Sequence, residues 1–282
     1  MNEPNPFLDP ARQQELYSRA SRLAGRTSAL MRAKTAGRPV PETIVSLVQT
    51  HHGHPDRLGV VLDIGCGRGT SSLVIAEQLR PQRVVGLDAA PSLLARARER
   101  AKELHDTTLD FVEGDFHDIP LPAGSCDGVV AAFCLYHSPH PEDVVAEIAR
   151  VLAPEGLAIL VTKGVDSYQE MDHLVASAGL DPRADQHESL YTAVHSGNLA
   201  DLAAFSLDVI AVLDEEHVFT FDGHDHTAQY LATNPKYDLA PGLYGNPGAL
   251  AATLHEFLPD RPLATRSRVT FVVAQPNEGQ SA

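Results

Sequence analysis

Long apolar runs are missing from this 282-residue chain, and the longest clear one, from about Gly128 to Tyr136, is far short of the ~18 residues that cross a bilayer as a helix. On the sequence, no membrane span and no membrane partner are expected. The first ten residues are polar and proline-rich and lack the basic-then-apolar pattern of a secretory leader, so a cytoplasmic protein is expected. Cysteine is also sparse: Cys66, Cys126 and Cys134 are odd in number and lack metal-ligand spacing. That argues against a disulfide framework and suits a reducing compartment.

Basic residues nearly vanish over one stretch. Between Gly164 and Asp260 sixteen acids face only two bases, Arg183 and Lys236, in a chain of formal net charge −15. Such a surface repels phosphate backbones, so nucleic acid is not an expected partner; the plainer role of these charges is to keep the surface solvated. The first forty residues run the other way, with seven bases against three acids.

What is present is a globular composition, 43% hydrophobic, long enough for one large α/β domain or a core with an insertion. Asp9-Pro10 predicts a capped helix through about Ala24, and a second helix is expected from Pro41 to about His51. Strands and helices then alternate. The pattern predicts strands at Val60–Ile64, Arg83–Asp88, Leu109–Glu113, Asp127–Leu135 and Leu157–Thr162, with helices at Thr70–Leu79, Ser92–Leu104 and Glu142–Leu152. Apolar strands separated by helices imply a parallel sheet covered on both faces. Beyond Lys163 the rhythm changes. Helices are expected at Ser167–Ala178, Leu190–Phe205 (interrupted by Gly197-Asn198), Asp225–Ala232 and Gly248–Phe257. Leu207–Phe221 reads as one long strand or two short ones, Arg268–Ala274 as a final strand, and Gln275–Ala282 as a loose tail.

The most informative segment is Val60-Val61-Leu62-Asp63-Ile64-Gly65-Cys66-Gly67-Arg68-Gly69-Thr70. It predicts a buried strand turning sharply into a helix, with bare backbone where a ligand can approach. A dinucleotide loop has glycines as G-x-G-x-x-G, whereas here they fall at Gly65, Gly67 and Gly69, with Thr70 in the last place. Asp63 puts a carboxylate just before them, which suits an ammonium better than a phosphate. Asp88 ends the next strand, where a carboxylate accepts hydrogen bonds from both hydroxyls of a ribose. Asp115, after the third strand, is placed to take an adenine amino group while Phe116 or Leu87 packs on the ring. Each acid alone reads better as an ordinary loop acid or helix cap. Three at successive carboxyl ends of parallel strands point to a ligand.

With these residues, Val-Leu-Asp-Ile-Gly-Cys-Gly-Arg-Gly, Val-Val-Gly-Leu-Asp, Glu-Gly-Asp-Phe, Phe-Cys-Leu-Tyr-His-Ser-Pro-His-Pro and Arg-Val-Leu-Ala-Pro-Glu-Gly follow in order. Together they resemble the class I S-adenosylmethionine-dependent methyltransferases, in their small-molecule, ubiquinone-biosynthesis-like branch. The resemblance covers about Leu58 to Lys163; Glu155, where the family often has glycine or lysine, is a small departure in a turn. It implies a Rossmann-like, seven-stranded mixed α/β sheet with the last strand antiparallel. In domain terms it implies an N-terminal helical cover (1–55), a donor-binding core (56–163) and, after strand 5, an acceptor-binding insertion with C-terminal strands completing the sheet (164–282). The cofactor is S-adenosyl-L-methionine, leaving as S-adenosyl-L-homocysteine. The donor site implied is Asp63, Gly65, Cys66, Gly67, Thr70, Asp88, Ala89, Asp115, Phe116 and Phe133. Within it Gly65 and Gly67 approach the methionine part, Asp88 holds the ribose, and Asp115 with Phe116 faces the adenine.

Methyl transfer from a sulfonium is an in-line displacement, in which holding three atoms in line does much of the work. A base is needed only where the acceptor must lose a proton, and His137, after the Asp127–Tyr136 run, is the candidate; its alternative role is to shape the cofactor pocket. The basic N-terminal helices, with Tyr17, Arg22 and Arg26, are candidates to cover the donor, Arg26 meeting its carboxylate or remaining a solvated arginine. Five of the seven tyrosines follow Lys163. Tyr191 and Tyr237 are the candidates for binding a neutral or cationic small acceptor, against a reading as half-buried helix residues. His51-His52-Gly53-His54 and His224-Asp225-His226 lack helical i, i+4 pairing and zinc-site spacing, so no metal is expected. The expected function is methylation at O, N or C of a small metabolite in specialised-product biosynthesis. The rivals are a cofactor-binding cyclase or decarboxylase on the same fold and a non-catalytic binding or assembly protein.

Overall fold

In the computed structural model of the protein, residues 5–18, 20–104 and 108–277 are described. Helices α1 (Pro10–Tyr17) and α2 (Ala20–Ala33), strand β1 (Lys34–Ala36) and helix α3 (Val40–His51) come first. Next come β2 (Val60–Ile64), α4 (Thr70–Gln78), β3 (Arg83–Asp88), α5 (Pro91–Ala101), β4 (Thr108–Glu113), β5 (Cys126–Ala132), α6 (Pro141–Val151) and β6 (Leu152–Lys163). The chain closes with α7 (Gln169–Ser177), α8 (Leu199–Ala204), β7 (Leu207–Phe221), α9 (His224–Leu231), α10 (Pro247–Phe257) and β8 (Leu263–Pro276). Proline starts α1, α5, α6 and α10, where its fixed φ and missing N–H cost nothing. Among the described residues no helix is long and apolar enough to cross a membrane.

Hydrogen bonding orders the strands β1-β7-β8-β6-β5-β2-β3-β4. From β4 to β6 every pairing is parallel, and β8 runs antiparallel beside β6. This is the mixed Rossmann-like sheet that the resemblance implies, with eight strands rather than seven. The additional strand is β1, three residues paired antiparallel with β7; Lys34-Thr35-Ala36 is too short to show any alternation.

The chain forms two compact units. The first comprises Met1–Gly37, Gly164–Thr192 and Glu215–Arg268, the second Arg38–Lys163, Ala193–Asp214 and Val269–Ala282. The second unit contains the parallel strands. Leu62, Ile64, Val84, Val129, Ile159 and Leu160 are almost fully buried, so these strands read as continuous apolar runs. On one face α6 packs Val144, Val145, Ile148 and Val151, its stripe at helical spacing. Helix α3 contributes Ile44, Val45, Leu47 and Val48 to a core with Val61, Ile75, Ile159 and Phe271. Arg150, in the last of the motif blocks, donates to the carbonyls of Ile119 and Leu121, while Glu147 accepts from the Ile119 amide. That motif therefore ties the loop after β4 to α6. The first unit has its own core, built from Met171, Val175, Phe219, Phe221, Leu231, Leu250 and Leu254 with Tyr168, Tyr230 and Tyr237.

Several elements depart from the sequence reading for identifiable reasons. The expected N-terminal helix stops at Tyr17, where the Ser18 hydroxyl bonds back to the Glu15 carbonyl. The expected helix over Leu190–Phe205 is reduced to α8. Ahead of it the Asn198 side chain accepts from the His195 amide and donates to the Ala193 carbonyl, folding 193–198 into a turn. Strand β5 ends at Ala132 because Phe133 adopts φ +59°, and residues Leu135–His137 form a single 3-10 turn. Strand β8 starts five residues earlier than expected. Its inward positions there are Thr265 and Ser267, both buried, with Thr265 donating to Glu170 and Ser267 bonded to Ser167.

Candidate functional site

The glycine loop joins β2 to α4 in five residues. Gly65, Gly67 and Gly69 all have left-handed backbones, with φ +60°, +56° and +70°. Only glycine takes these angles freely. Their surroundings differ, however. A Cβ on Gly65 would lie 2.4 Å from the Cys134 Cβ, and one on Gly69 about 3.0 Å from the Phe111 ring, whereas a Cβ on Gly67 would meet nothing within 4 Å. Gly65 and Gly69 thus serve packing, and Gly67 faces open space. Gly65→Ala is expected to cost about 3 kcal/mol, combining overpacking with a strained φ, and Gly67→Ala only about 1 kcal/mol. Urea denaturation of both variants checks this; equal losses would refute the distinction.

Asp88 closes β3 beside this loop. Its carboxylate accepts from the Gly67 amide (Oδ2, 2.8 Å) and the Ala90 amide (Oδ1, 2.8 Å), so each oxygen keeps a lone pair for a further donor. Burial raises its carboxyl above the ordinary range, and the two amides work against that rise. Asp63, the penultimate residue of β2, is 2% exposed. Its Oδ2 accepts from the Ser72 hydroxyl of α4 at 2.5 Å, yet burial pushes its pKa up to about 7.

Asp115, after β4, is solvent-facing and belongs to a chain of three side chains. Its Oδ1 meets His117 Nδ1 at 2.6 Å, and His117 Nε2 meets the Ser138 Oγ at 2.8 Å. Burial alone would raise the Asp115 carboxyl, but the bonds from the His117 amide and ring outweigh it and hold the group low. Ser138 is fully buried and its Oγ also accepts from the His140 amide. This chain pins the loop after β5, which carries His137, to the loop after β4. Phe116 packs its ring 4.8 Å from that of His117.

At the end of β5, Lys163 Nζ sits 5.1 Å over the Phe133 ring, a cation–π contact from the last residue of β6. His137 ends the 3-10 turn, its ring 4.8 Å from that of Tyr136. Cys66 and Cys134 are buried, and burial drives both thiols far up, so neither supplies a thiolate. The Thr70 hydroxyl accepts from Arg100, and Ala89 is exposed beside Asp88.

Three candidates belong to the first unit. Arg26 donates to the Thr233 carbonyl at 2.9 Å. Tyr191 is buried with its ring 6.3 Å from that of Phe7. Tyr237 is buried and donates to Asp172 at 2.8 Å, and Lys236 donates to the same carboxylate. Burial and the neighbouring Asp172 charge keep the Tyr237 phenol protonated. The side chain of Arg22 lies outside the described residues.

In the second unit, then, the carboxyl ends of β2 to β6 carry Asp63 with the glycine loop, Asp88, Asp115, Phe133 with His137, and Lys163. In open α/β sheets that edge is where ligands bind. Carboxylates with spare lone pairs at two strand ends, an open glycine and a ring at the third fit an adenosine that also bears an amino acid. His117, Ser138 and Ser72 escape sequence reasoning. Ser138 lies 21 residues from His117, and only Ser72, two places into the helix after the loop, carries a positional hint.

Residues 62–160 match the family model described as a methyltransferase domain. A malonyl-[acyl-carrier protein] O-methyltransferase of Marinomonas sp. is 33% identical over 129 residues, covering 46% of each chain. A demethylmenaquinone methyltransferase of Thermus thermophilus is 36% identical over 101 residues, covering 36% of this chain and 46% of that one. The chain spans about half the length of these two curated relatives. The solved structure of a methyltransferase (described as putative) from Bacillus halodurans superposes with a TM-score of 0.57 at 16% identity, covering 83% of this chain and all of that one; it shows the shared fold. Residues 62–160 are thus similar to a methyltransferase domain, and the chain shares the fold of a solved methyltransferase structure.

Proposed function

We propose that this protein transfers a methyl group from S-adenosylmethionine to an oxygen, nitrogen or carbon nucleophile of a small organic metabolite, with an intermediate of specialised-product biosynthesis as the expected acceptor. The observation that carries this reading is the pairing of an open, left-handed Gly67 with Asp88, whose oxygens keep free lone pairs. When bound, the donor supplies a methyl carbon activated by a sulfonium. Gly67 leaves the backbone open to the methionine part while Gly65 lets the loop pack on Cys134, Asp88 accepts from the ribose hydroxyls, and Asp115 with Phe116 receives the adenine. Asp63 faces the ammonium as a counter-charge. In the displacement a bond forms from the acceptor nucleophile to the methyl carbon as the carbon–sulfur bond breaks, giving S-adenosylhomocysteine. Where the acceptor carries a proton, His137 removes it.

A neutral or cationic acceptor suits the acid-rich stretch from Gly164 to Asp260, which disfavours an anionic one such as a malonyl carboxylate. The test is incubation with methyl-labelled donor and the small-molecule fraction of a cell extract. Label should enter compounds of low mass with stoichiometric S-adenosylhomocysteine. Label confined to protein or RNA, or no binding of S-adenosylhomocysteine by calorimetry, would refute the proposal. Gly67→Ala should weaken that binding at least tenfold, in contrast to its small stability cost. For an acceptor that loses a proton, His137→Gln should lower kcat by roughly 10²-fold or more with donor KM unchanged; an unchanged kcat would remove the base role.

A further inference from the structure

In the first unit, His224 meets two side chains from 31 and 36 residues downstream, His255 and Asp260, where the start of α9 lies against the end of α10. His224, the first residue of α9, is 2% exposed. Its Nδ1 is buried and has no hydrogen-bonding partner among the described residues. A polar nitrogen buried in this way carries a desolvation cost that some partner must offset. Two groups lie nearest. Asp260 accepts from the His224 amide at 2.9 Å, its Oδ1 is 3.9 Å from His224 Nδ1, and its Oδ2 is 3.9 Å from His255 Nδ1. The His255 ring stands edge-on to that of His224, with centroids 4.8 Å apart.

One potential ligand atom from each of His224, His255 and Asp260 lies within 4.8 Å of the others. Ligands of a tetrahedral zinc ion bound at ~2.0–2.2 Å are about 3.4 Å apart. The contraction required falls on His255 and Asp260, whose side chains are 44% and 50% exposed and able to turn. His224 is fixed. On the far side of His255, Nε2 lies 3.9 Å from Oδ1 of the exposed Asp225; a turn of this carboxylate to hydrogen-bonding distance would orient the ligating imidazole and increase its basicity. His255 and Asp260 are both half exposed, so water can reach the cluster from solvent as a fourth ligand.

We propose that His224, His255 and Asp260 bind a divalent transition ion of the zinc class, with Asp225 as a positioning residue, and that the ion clamps the start of α9 to the end of α10. Two imidazoles and a carboxylate select such an ion over magnesium or calcium, which favour all-oxygen shells. The local histidine runs do not predict this site. His226, next but one to His224, turns away to the Ala29 carbonyl, and the partners of His224 come from 31 and 36 residues downstream.

The test uses the full chain, stripped with a chelator and titrated with zinc chloride under calorimetry and thermal melting. One equivalent should bind saturably at micromolar concentration and raise Tm. His255→Ala and Asp260→Asn should each weaken binding at least about tenfold and abolish the Tm rise, and Asp225→Asn should weaken it by roughly tenfold. His52→Ala, in the other histidine cluster, should leave it unchanged. Cobalt substitution should give visible d–d absorption that His255→Ala removes. Because His255 is half exposed, the metal-free His255→Ala protein should melt near the wild-type temperature. Absence of saturable binding, undiminished affinity in His255→Ala, or loss in His52→Ala instead would overturn the proposal.

Discussion

Asp88→Ala is expected to weaken binding of S-adenosylhomocysteine roughly a hundredfold, the equivalent of about 3 kcal/mol. A ribose offers two hydroxyls to this carboxylate, and hydrogen bonds to a charged acceptor contribute about 1.5–3 kcal/mol each, net of the bonds to water that they replace. The same oxygens hold the amides of Gly67 and Ala90, so alanine also releases the loop that forms the open side of the site. Asp88→Asn separates these contributions. It keeps one acceptor oxygen but turns an NH2 group toward a backbone amide, and should fall between alanine and wild type. Calorimetry below the melting temperature of each variant reads both effects. Affinity within twofold of wild type in Asp88→Ala would remove the ribose assignment.

Strands β2 and β3 match the sequence reading to the residue. Each is a buried apolar run ended by an abrupt change in chemistry, glycine after Ile64 and an acid at Asp88. The acids at strand ends were legible for the same reason, since topology places the carboxyl ends of successive parallel strands along one edge. Legibility failed where burial and polarity part company. The first half of β8 turns Thr265 and Ser267 inward, and their hydroxyls find partners in Glu170 and Ser167, so no apolar alternation marks the strand. Between Leu190 and Phe205 apolar residues recur at near-helical spacing, yet the Asn198 side chain satisfies local backbone groups more cheaply than a helix would. The Asp115–His117–Ser138 chain and the His224–His255–Asp260 cluster were invisible because each joins residues from separate elements or loops. Nothing local in the sequence encodes such meetings.

Asp63→Asn is expected to stabilise the donor-free protein at pH 8 and to weaken donor binding at the same time. In the fold the Asp63 pKa is about 7, pushed up mainly by burial and further by the Asp88 charge, against the opposing effect of Ser72. In the unfolded chain an aspartate titrates near 3.9. The sign follows from linkage. Between about pH 4 and pH 7 the folded state holds a proton that the unfolded state has released, so stability falls as pH rises through this window. Above pH 7 the wild type carries the full cost of a buried charge, on the order of 4 kcal/mol for a shift of about three units. Asparagine has the same shape and no charge to bury. Its advantage should therefore approach a few kcal/mol at pH 8 and vanish near pH 4, read as urea midpoints across the range. Donor binding reverses the balance, because an ammonium beside Asp63 favours the charged carboxylate. Wild-type binding near pH 6.5 should release a proton, measured by calorimetry in buffers of different ionisation enthalpy, and affinity should rise toward pH 8. In Asp63→Asn the proton release should disappear and affinity at pH 8 should fall at least about tenfold, as expected for losing a desolvated charge pair. A variant no more stable at pH 8 than at pH 4 relative to wild type would mean that Asp63 is already ionised without cost. Persistence of the proton release would assign it to another group.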